Sequence, residues 1–200
     1  MISIFIVYNK TYINKYMYLS IGDGLSLGLN PDGIKSFSYN DYLKEFFNNK
    51  NIELDYYNYS EKDISIPELT NDIIYLDNSN LKHYLTNSNL IILSIGEKEL
   101  KSNKSTINIK KDLKNLIQEI KKYNNNICIL SKYHIGIEKT GKIKEINNIY
   151  KEVSKEYNLI YINIEDTSYY LTNNKNIYPT SKGYEEISKL LIKAINIKDK

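Results

Sequence analysis

The stretch Tyr16-Met-Tyr-Leu-Ser-Ile21 is followed at once by Gly22-Asp-Gly-Leu-Ser-Leu-Gly28, and these two segments decide the fold. The first is mostly apolar and ends at closely spaced glycines, which is typical of a buried β-strand that stops at a turn. A second run, Asn89-Leu-Ile-Ile-Leu-Ser-Ile95, is continuously apolar, as expected for a strand covered on both faces. The two runs predict buried parallel strands, with a glycine-rich loop after the first.

Strand-like and helix-like patterns alternate along the rest of the chain. Further strands are predicted at 52–59, 126–133 and 159–164, and helices at 36–47, 67–76, 107–123, 142–157 and 180–195. This alternation predicts a three-layer, flavodoxin-like α/β/α domain around a five-stranded parallel sheet. Since we find no linker and no internal repeat, residues 1–200 are predicted to form one domain, with 1–14 as a small extra strand or extension.

The composition argues against several classes of protein. All 27 basic residues are lysine, the formal net charge is +3, and there is one cysteine. The small charge and the lack of arginine argue against a nucleic-acid partner, and one cysteine excludes a disulfide framework or a cysteine-based zinc cluster. No run approaches the ~20 apolar residues of a membrane span, and the N-terminus lacks the pattern of a signal peptide. We therefore expect a cytoplasmic protein without metal or cofactor, and the abundance of Ile, Asn, Lys and Tyr indicates a low-GC bacterium.

Three blocks, in the right order and at the right strand ends, resemble those of the SGNH/GDSL hydrolases. Ile21-Gly-Asp-Gly-Leu-Ser-Leu-Gly28 resembles the first block, Gly-Asp-Ser-Leu-Ser followed by Gly. Leu93-Ser-Ile-Gly-Glu-Lys-Glu-Leu100 resembles the third-strand block, Ile-Gly-x-Asn-Asp-Leu, and Asn176-Ile-Tyr-Pro-Thr-Ser-Lys-Gly-Tyr184 resembles the final block, Asp-x-x-His-Pro followed by Gly-Tyr. The resemblance implies the SGNH hydrolase fold and, for an intact member, ester hydrolysis.

The same resemblance implies that every catalytic position has changed. The family's serine, histidine, aspartate, block-three asparagine and oxyanion-hole glycine correspond to Gly24, Tyr178, Lys175, Lys98 and a position near Asp63. Glycine offers no nucleophile, and tyrosine titrates near pH 10, so it cannot replace an imidazole as a general base at neutral pH. We therefore expect a pseudoenzyme that binds a ligand or a protein partner and does not hydrolyse esters.

Two other functions stay open at this point. The first is an active ester or acyl hydrolase with a rearranged site, in which Ser26 is the nucleophile and His134 is its base. A buried or helix-terminal hydroxyl at Ser26 and an ordinary loop histidine at His134 explain the same residues. The second is nucleotide binding by the glycine-rich loop, although its GxGxxxG spacing differs from the dinucleotide fingerprint.

In an open parallel sheet the ligand site lies beyond the carboxyl ends of the strands. The residues predicted to line a pocket there are Asp23, Ser26, Asp63, Glu97 and His134. Lys98 and Lys175 would form a site for a carboxylate or phosphate if both ammonium groups pointed inward. We favour the simpler interpretation that both lysines are solvated. Away from this edge, Cys128 is predicted to be a small core residue and His83 a surface residue.

Overall fold

The computed structural model describes residues 14–133, 140–165 and 178–195. Five strands form one sheet in the order β2-β1-β3-β4-β5, and every neighbouring pair is parallel. This confirms the predicted five-stranded parallel sheet. The predicted N-terminal strand or extension lies outside the described residues, except for Asn14, which begins β1. The strands are β1 (Asn14–Gly22), β2 (Ile52–Ser60), β3 (Leu90–Ser94), β4 (Ile127–Leu130) and β5 (Ile160–Ile162).

Helices connect the strands and cover both faces of the sheet. They are α1 (Gly24–Leu27), α2 (Tyr39–Asn49), α3 (Ile66–Tyr75), α4 (Ser79–Asn87), α5 (Glu97–Lys101), α6 (Thr106–Lys121), α7 (Thr140–Tyr157) and α8 (Ser181–Ile195). One buried apolar cluster joins the sheet to α3, α4, α6 and α7, and the other joins it to α2 and α8. The three-layer α/β/α prediction is thereby confirmed.

Strand β3 shows why its sequence is apolar throughout. Ile91 and Leu93 belong to the first cluster, whereas Leu90 and Ile92 belong to the second. Successive side chains of a strand point to opposite faces, so a strand covered on both sides needs apolar residues at every position. Cys128 of β4 is buried in the second cluster, as predicted for a small core residue.

Local capping signals set where the helices begin. Ser38 and Asp41 form a capping box at the start of α2, and Ser65 and Glu68 form another at the start of α3. In each box the serine hydroxyl accepts a backbone N–H, while the carboxylate accepts the N–H of the serine. The N-cap of α2 is Ser38, so the helix begins at Tyr39, three residues after its predicted start at residue 36.

Several observed elements differ from the predicted ones near the carboxyl ends of the strands. Strand β4 ends at Leu130, three residues before its predicted end, although residues 131–133 stay buried. The loop after β3 contains the short helix α5, which the sequence analysis did not predict.

His83 lies on an exposed part of α4, as predicted. Among the described residues, no helix has the length and apolar character needed to cross a membrane.

Candidate functional site

The loops after β1 and β3 meet at the carboxyl edge of the sheet. Gly22 has φ +141°, and a Cβ atom placed on it would lie 1.7 Å from the carbonyl oxygen of Ser94. Only glycine allows the two strand ends to approach this closely. The backbone N–H of Asp23 donates to the same Ser94 oxygen at 2.8 Å. This close approach sets Asp23 beside Glu97, whose backbone N–H donates to Asp23 Oδ2 at 3.0 Å.

Asp23 is the centre of a buried polar network. Its Oδ1 accepts the backbone N–H of Leu25 at 3.3 Å, which caps α1. Its Oδ2 accepts Lys132 Nζ at 2.7 Å, and the two side chains are 1% and 2% exposed. Asn147 of α7 holds the backbone of Lys132 by two hydrogen bonds. The Lys132 N–H donates to Asn147 Oδ1 at 2.7 Å, and Asn147 Nδ2 donates to the Lys132 carbonyl oxygen at 2.8 Å. The Asp23–Lys132 ion pair therefore ties the loop after β1 to the segment after β4.

The ring of Tyr178 fills the space in front of Gly24. A Cβ atom placed on Gly24 would lie 2.4 Å from Cε1, 2.5 Å from the hydroxyl oxygen and 2.6 Å from Cζ of Tyr178. These separations are far below van der Waals contact, and Tyr178 is only 3% exposed. The position that resembles the catalytic serine therefore lacks a side chain, and it also lacks room for one.

The hydroxyl group of Tyr178 is held by an acidic partner. It donates to both carboxylate oxygens of Glu97, at 2.9 and 3.1 Å. Burial, reinforced by the charge of Glu97, raises the pKa of Tyr178 well above its usual value. The phenol therefore keeps its proton at neutral pH and serves as a hydrogen-bond donor, so this group cannot accept a proton from a nucleophile.

A surface lysine completes the network around Glu97. Lys101 Nζ lies 2.6 Å from Glu97 Oε1 and 2.6 Å from Asp63 Oδ1. Asp63 has φ +60°, in the left-handed region that favours glycine. This conformation fits the resemblance, which places a glycine of the family near Asp63. Hydrogen bonds thus connect Tyr178 to Glu97, and Glu97 to Asp23 and, through Lys101, to Asp63, at one end of the sheet.

Ser26 lies beneath this network, inside the core. Its hydroxyl is 2.9 Å from the hydroxyl of Tyr39, which in turn lies 2.9 Å from Ser20 Oγ. Ser26 is fully buried, and burial raises the pKa of Tyr39. His134 lies outside the described residues, and the described ranges contain a single histidine, His83, on α4. Within those ranges the structure brings no imidazole to Ser26.

Lys98 points away from the network. Its ammonium group binds both carboxylate oxygens of Glu68, at 2.9 and 2.7 Å, and both side chains are largely exposed. The hydrogen bonds from Lys98, followed by those from Ser65, lower the pKa of Glu68 to about 2. The positive charge of Lys98 is therefore compensated on the surface. Lys175, the other lysine of the hypothetical anion site, lies outside the described residues.

Sequence reasoning did not single out Lys132, Lys101 or Asn147. The available signal was Lys132, two residues after the apolar run 127–130, since a charged residue so close to a buried strand is unusual. Because the chain has 27 lysines, one lysine at this position does not stand out from the others. Within the parts of the chain that the structure describes, no three His, Cys, Asp or Glu side chains are grouped to hold a metal ion.

Glu99 is a third buried carboxylate, after Asp23 and Glu97, and one of its oxygens makes no hydrogen bond to a described residue. The side chain is 2% exposed, and Oε1 accepts the backbone N–H of Ile66 at 2.9 Å, at the first turn of α3. Among the described residues, Oε2 has no hydrogen-bond partner. Burial raises the pKa of Glu99, because the lost hydration of the charged form outweighs the backbone hydrogen bonds that stabilise it.

This raised pKa predicts a pH-dependent effect of Glu99→Gln. A carboxyl group whose pKa is higher in the folded state binds protons more tightly there, so its contribution to stability falls as the pH rises from its unfolded pKa to its folded pKa. Glutamine keeps the acceptor for Ile66 but does not ionise. The stability of Glu99→Gln relative to the unmodified protein should therefore increase between pH 4 and pH 7.

Urea unfolding at several pH values measures this difference. Glu145→Gln, at an exposed site on α7, is the matched control, and its relative stability should stay nearly constant. If the difference for Glu99→Gln were equally flat, the Glu99 carboxyl would not be desolvated as the structure shows.

Comparison with solved structures gives the fold. An acetylxylan esterase, Axe2 from Geobacillus stearothermophilus, superposes with a TM-score of 0.72 at 12% identity, over 92% of this chain and 95% of that one. A lipase/acylhydrolase from Enterococcus faecalis gives 0.73 at 15% identity, over 90% and 95%. A lipolytic G-D-S-L family protein from Veillonella parvula gives 0.71 at 15% identity, over 89% and 97%.

These matches are confined to structure. No protein-family model matches the sequence, and no curated protein matches it either. At identities this low the likeness establishes the architecture, and the chain has the SGNH/GDSL hydrolase fold. The fold that the three sequence blocks implied is confirmed, whereas activity has to be argued from the site itself.

Proposed function

We propose that this chain, with its SGNH/GDSL hydrolase fold, is a pseudoenzyme that acts by binding a ligand or a protein partner and does not hydrolyse esters. The observation that carries the proposal is the ring of Tyr178, packed against Gly24 where an intact member would hold its nucleophilic serine. A substrate carbonyl placed at this point would meet an aromatic ring in place of a hydroxyl group.

The chemistry of ester hydrolysis supports the same conclusion. A serine hydrolase needs a hydroxyl group, a base that takes its proton and donors for the oxyanion. Gly24 has no hydroxyl group, and Tyr178 is a proton donor to Glu97. Lys98, at the position of the family's asparagine, is paired with Glu68 on the surface. Loss of one triad member already removes most of the rate, and these changes affect the nucleophile and the base together.

The alternative of a displaced nucleophile at Ser26 finds no support in the described geometry. The Ser26 hydroxyl would have to leave its contact with Tyr39 and reach the surface from a fully buried position. Its backbone carbonyl is also held, by the side-chain amides of Asn40 at 3.1 Å and Asn58 at 2.8 Å. These contacts describe a structural serine that anchors α1 to α2 and β2.

The proposal predicts that hydrolysis of p-nitrophenyl acetate and butyrate is no faster with the folded protein than with a heat-denatured blank. Ser26→Ala and His134→Ala should give the same rates as the unmodified protein, since neither side chain takes part in a reaction. The release of p-nitrophenol is followed by absorbance, with a known esterase as the positive control.

Turnover above the blank in the unmodified protein would contradict the loss of hydrolysis. If that turnover disappeared in Ser26→Ala or His134→Ala, the rearranged hydrolase would be the correct function. If it persisted in both variants, a different nucleophile would be at work.

A further inference from the structure

An apolar pocket in the described part of the chain lies between α7 and β5. Its volume is about 490 Å³, within the range of small-molecule sites. Leu159 and Tyr161 form its floor, and both are half-buried against the core beneath. β5 is the last strand of the sheet, so the pocket opens along the sheet edge.

This pocket is separate from the site around Gly24. Leu159 precedes β5 and therefore lies toward the amino end of the strands, whereas Asp23 and Glu97 follow β1 and β3 at the carboxyl end. In a parallel sheet all amino ends of the strands lie at one end of the sheet and all carboxyl ends at the other. Ligand binding in this pocket is therefore independent of whether ester hydrolysis has been lost.

The rim of the pocket is cationic. Lys151 and Lys155 line it from α7, and both side chains are exposed. They are four residues apart, which puts them on the same face of the helix, one turn from each other. Neither lysine forms an ion pair with another described residue. The one acidic residue of the lining, Glu152, is neutralised by Lys110, whose Nζ lies 2.7 Å from its carboxylate. The rim thus has positive charge that no carboxylate of the described residues compensates by an ion pair.

A third feature is an unused polar group. Ser154 also lines the pocket, and its buried hydroxyl group has no hydrogen-bond partner among the described residues. Buried hydroxyl groups in native proteins are nearly always paired, so this unpaired hydroxyl adds a polar group beneath the pocket wall.

We propose that this pocket binds a small amphiphilic anion: an apolar body seated on Leu159 and Tyr161, with a carboxylate, sulfonate or phosphate facing Lys151 and Lys155. The apolar floor supplies the hydrophobic part of the affinity, and the two ammonium groups select for negative charge. A neutral molecule of the same shape gains only the hydrophobic contribution.

The test uses 8-anilinonaphthalene-1-sulfonate as the probe and isothermal titration calorimetry on the full chain. Lys151→Glu combined with Lys155→Glu should weaken its binding roughly tenfold or more, because two attractions become repulsions. The matched control is Lys44→Glu combined with Lys193→Glu, which changes the net charge equally at exposed sites of α2 and α8, on the other face of the sheet. This control should bind as the unmodified protein does.

A second variant tests the pocket itself without changing its charge. Asn148→Trp, at an exposed position of the lining, fills the space and should also abolish binding. The neutral analogue N-phenyl-1-naphthylamine should bind more weakly than the sulfonate, and its affinity should not depend on the two lysines. Urea unfolding verifies that each variant is folded.

The proposal is wrong if the sulfonate does not bind the folded protein. It is also wrong if the affinity of the sulfonate for the Lys151/Lys155 double variant and for Asn148→Trp equals its affinity for the control variant. Failure of this test leaves the esterase assay unaffected, because the two experiments examine opposite ends of the sheet.

Discussion

Lys132→Met is expected to lower the free energy of unfolding by about 3–5 kcal/mol, because it leaves the carboxylate of Asp23 buried without its counter-charge. Methionine has a similar length and fills the same space, so the loss is mainly electrostatic. Lys132 Nζ and Asp23 Oδ2 are 2.7 Å apart, and neither side chain is more than 2% exposed. Urea unfolding followed by circular dichroism measures the change.

A surface ion pair serves as the control for Lys132→Met. Lys110 is paired with Glu152 at 2.7 Å, but both side chains are solvated. Lys110→Met should therefore change stability far less, since water and salt screen exposed pairs. Asp23→Asn combined with Lys132→Met should be less destabilising than the sum of the two single variants, because the double variant leaves no isolated charge. Equal effects of Lys132→Met and Lys110→Met would show that the buried pair does not form.

Gly24→Ala is expected to destabilise the protein by about 1–3 kcal/mol through overpacking. The added methyl group would lie 2.4 Å from Cε1 of Tyr178, so either the ring or the loop after β1 has to move. The loop cannot move easily, since Asp23 is held by Lys132 and by the backbone of Glu97. Urea unfolding again gives the size of the effect.

Gly141→Ala is a matched substitution with the opposite expected sign. Nothing lies within 4 Å of a Cβ atom at Gly141, which is in the first turn of α7. Alanine there should leave stability unchanged or increase it by up to about 1 kcal/mol, through the lower entropy of the unfolded chain. The penalty at Gly24 should also disappear in a Tyr178→Ala background, which removes the ring. A penalty that persisted there would mean that Tyr178 does not occupy the space in front of Gly24.

Both predictions concern groups at the carboxyl ends of the strands, and both are predictions about stability. A catalytic site usually holds strained or unpaired polar groups in a space open to substrate. Here Asp23, Glu97, Lys132 and Tyr178 are paired with one another and buried. We infer that the polar groups at this edge stabilise the fold, and this role agrees with the proposed loss of hydrolysis.

Local sequence patterns predicted most of the fold. The apolar runs at 16–21 and 89–95 correspond to β1 and β3, and the helix predicted at 142–157 differs from α7 by two residues at its start. Such elements depend on the spacing of apolar residues and on caps such as Ser38, and both are properties of neighbouring positions. The blocks at Gly22–Gly28 and Tyr178–Tyr184 further indicated which known fold these elements build.

The contacts that define the site were not predictable in this way. Lys132 and Asp23 are 109 positions apart, and Tyr178 and Glu97 are 81 positions apart. The sequence by itself determined that glycine and tyrosine stand at 24 and 178, where the resemblance would place a serine and a histidine. Only the tertiary structure decided that Tyr178 fills the space in front of Gly24 and that a lysine neutralises Asp23, because packing and charge pairing depend on distances in space between residues that the chain keeps far apart.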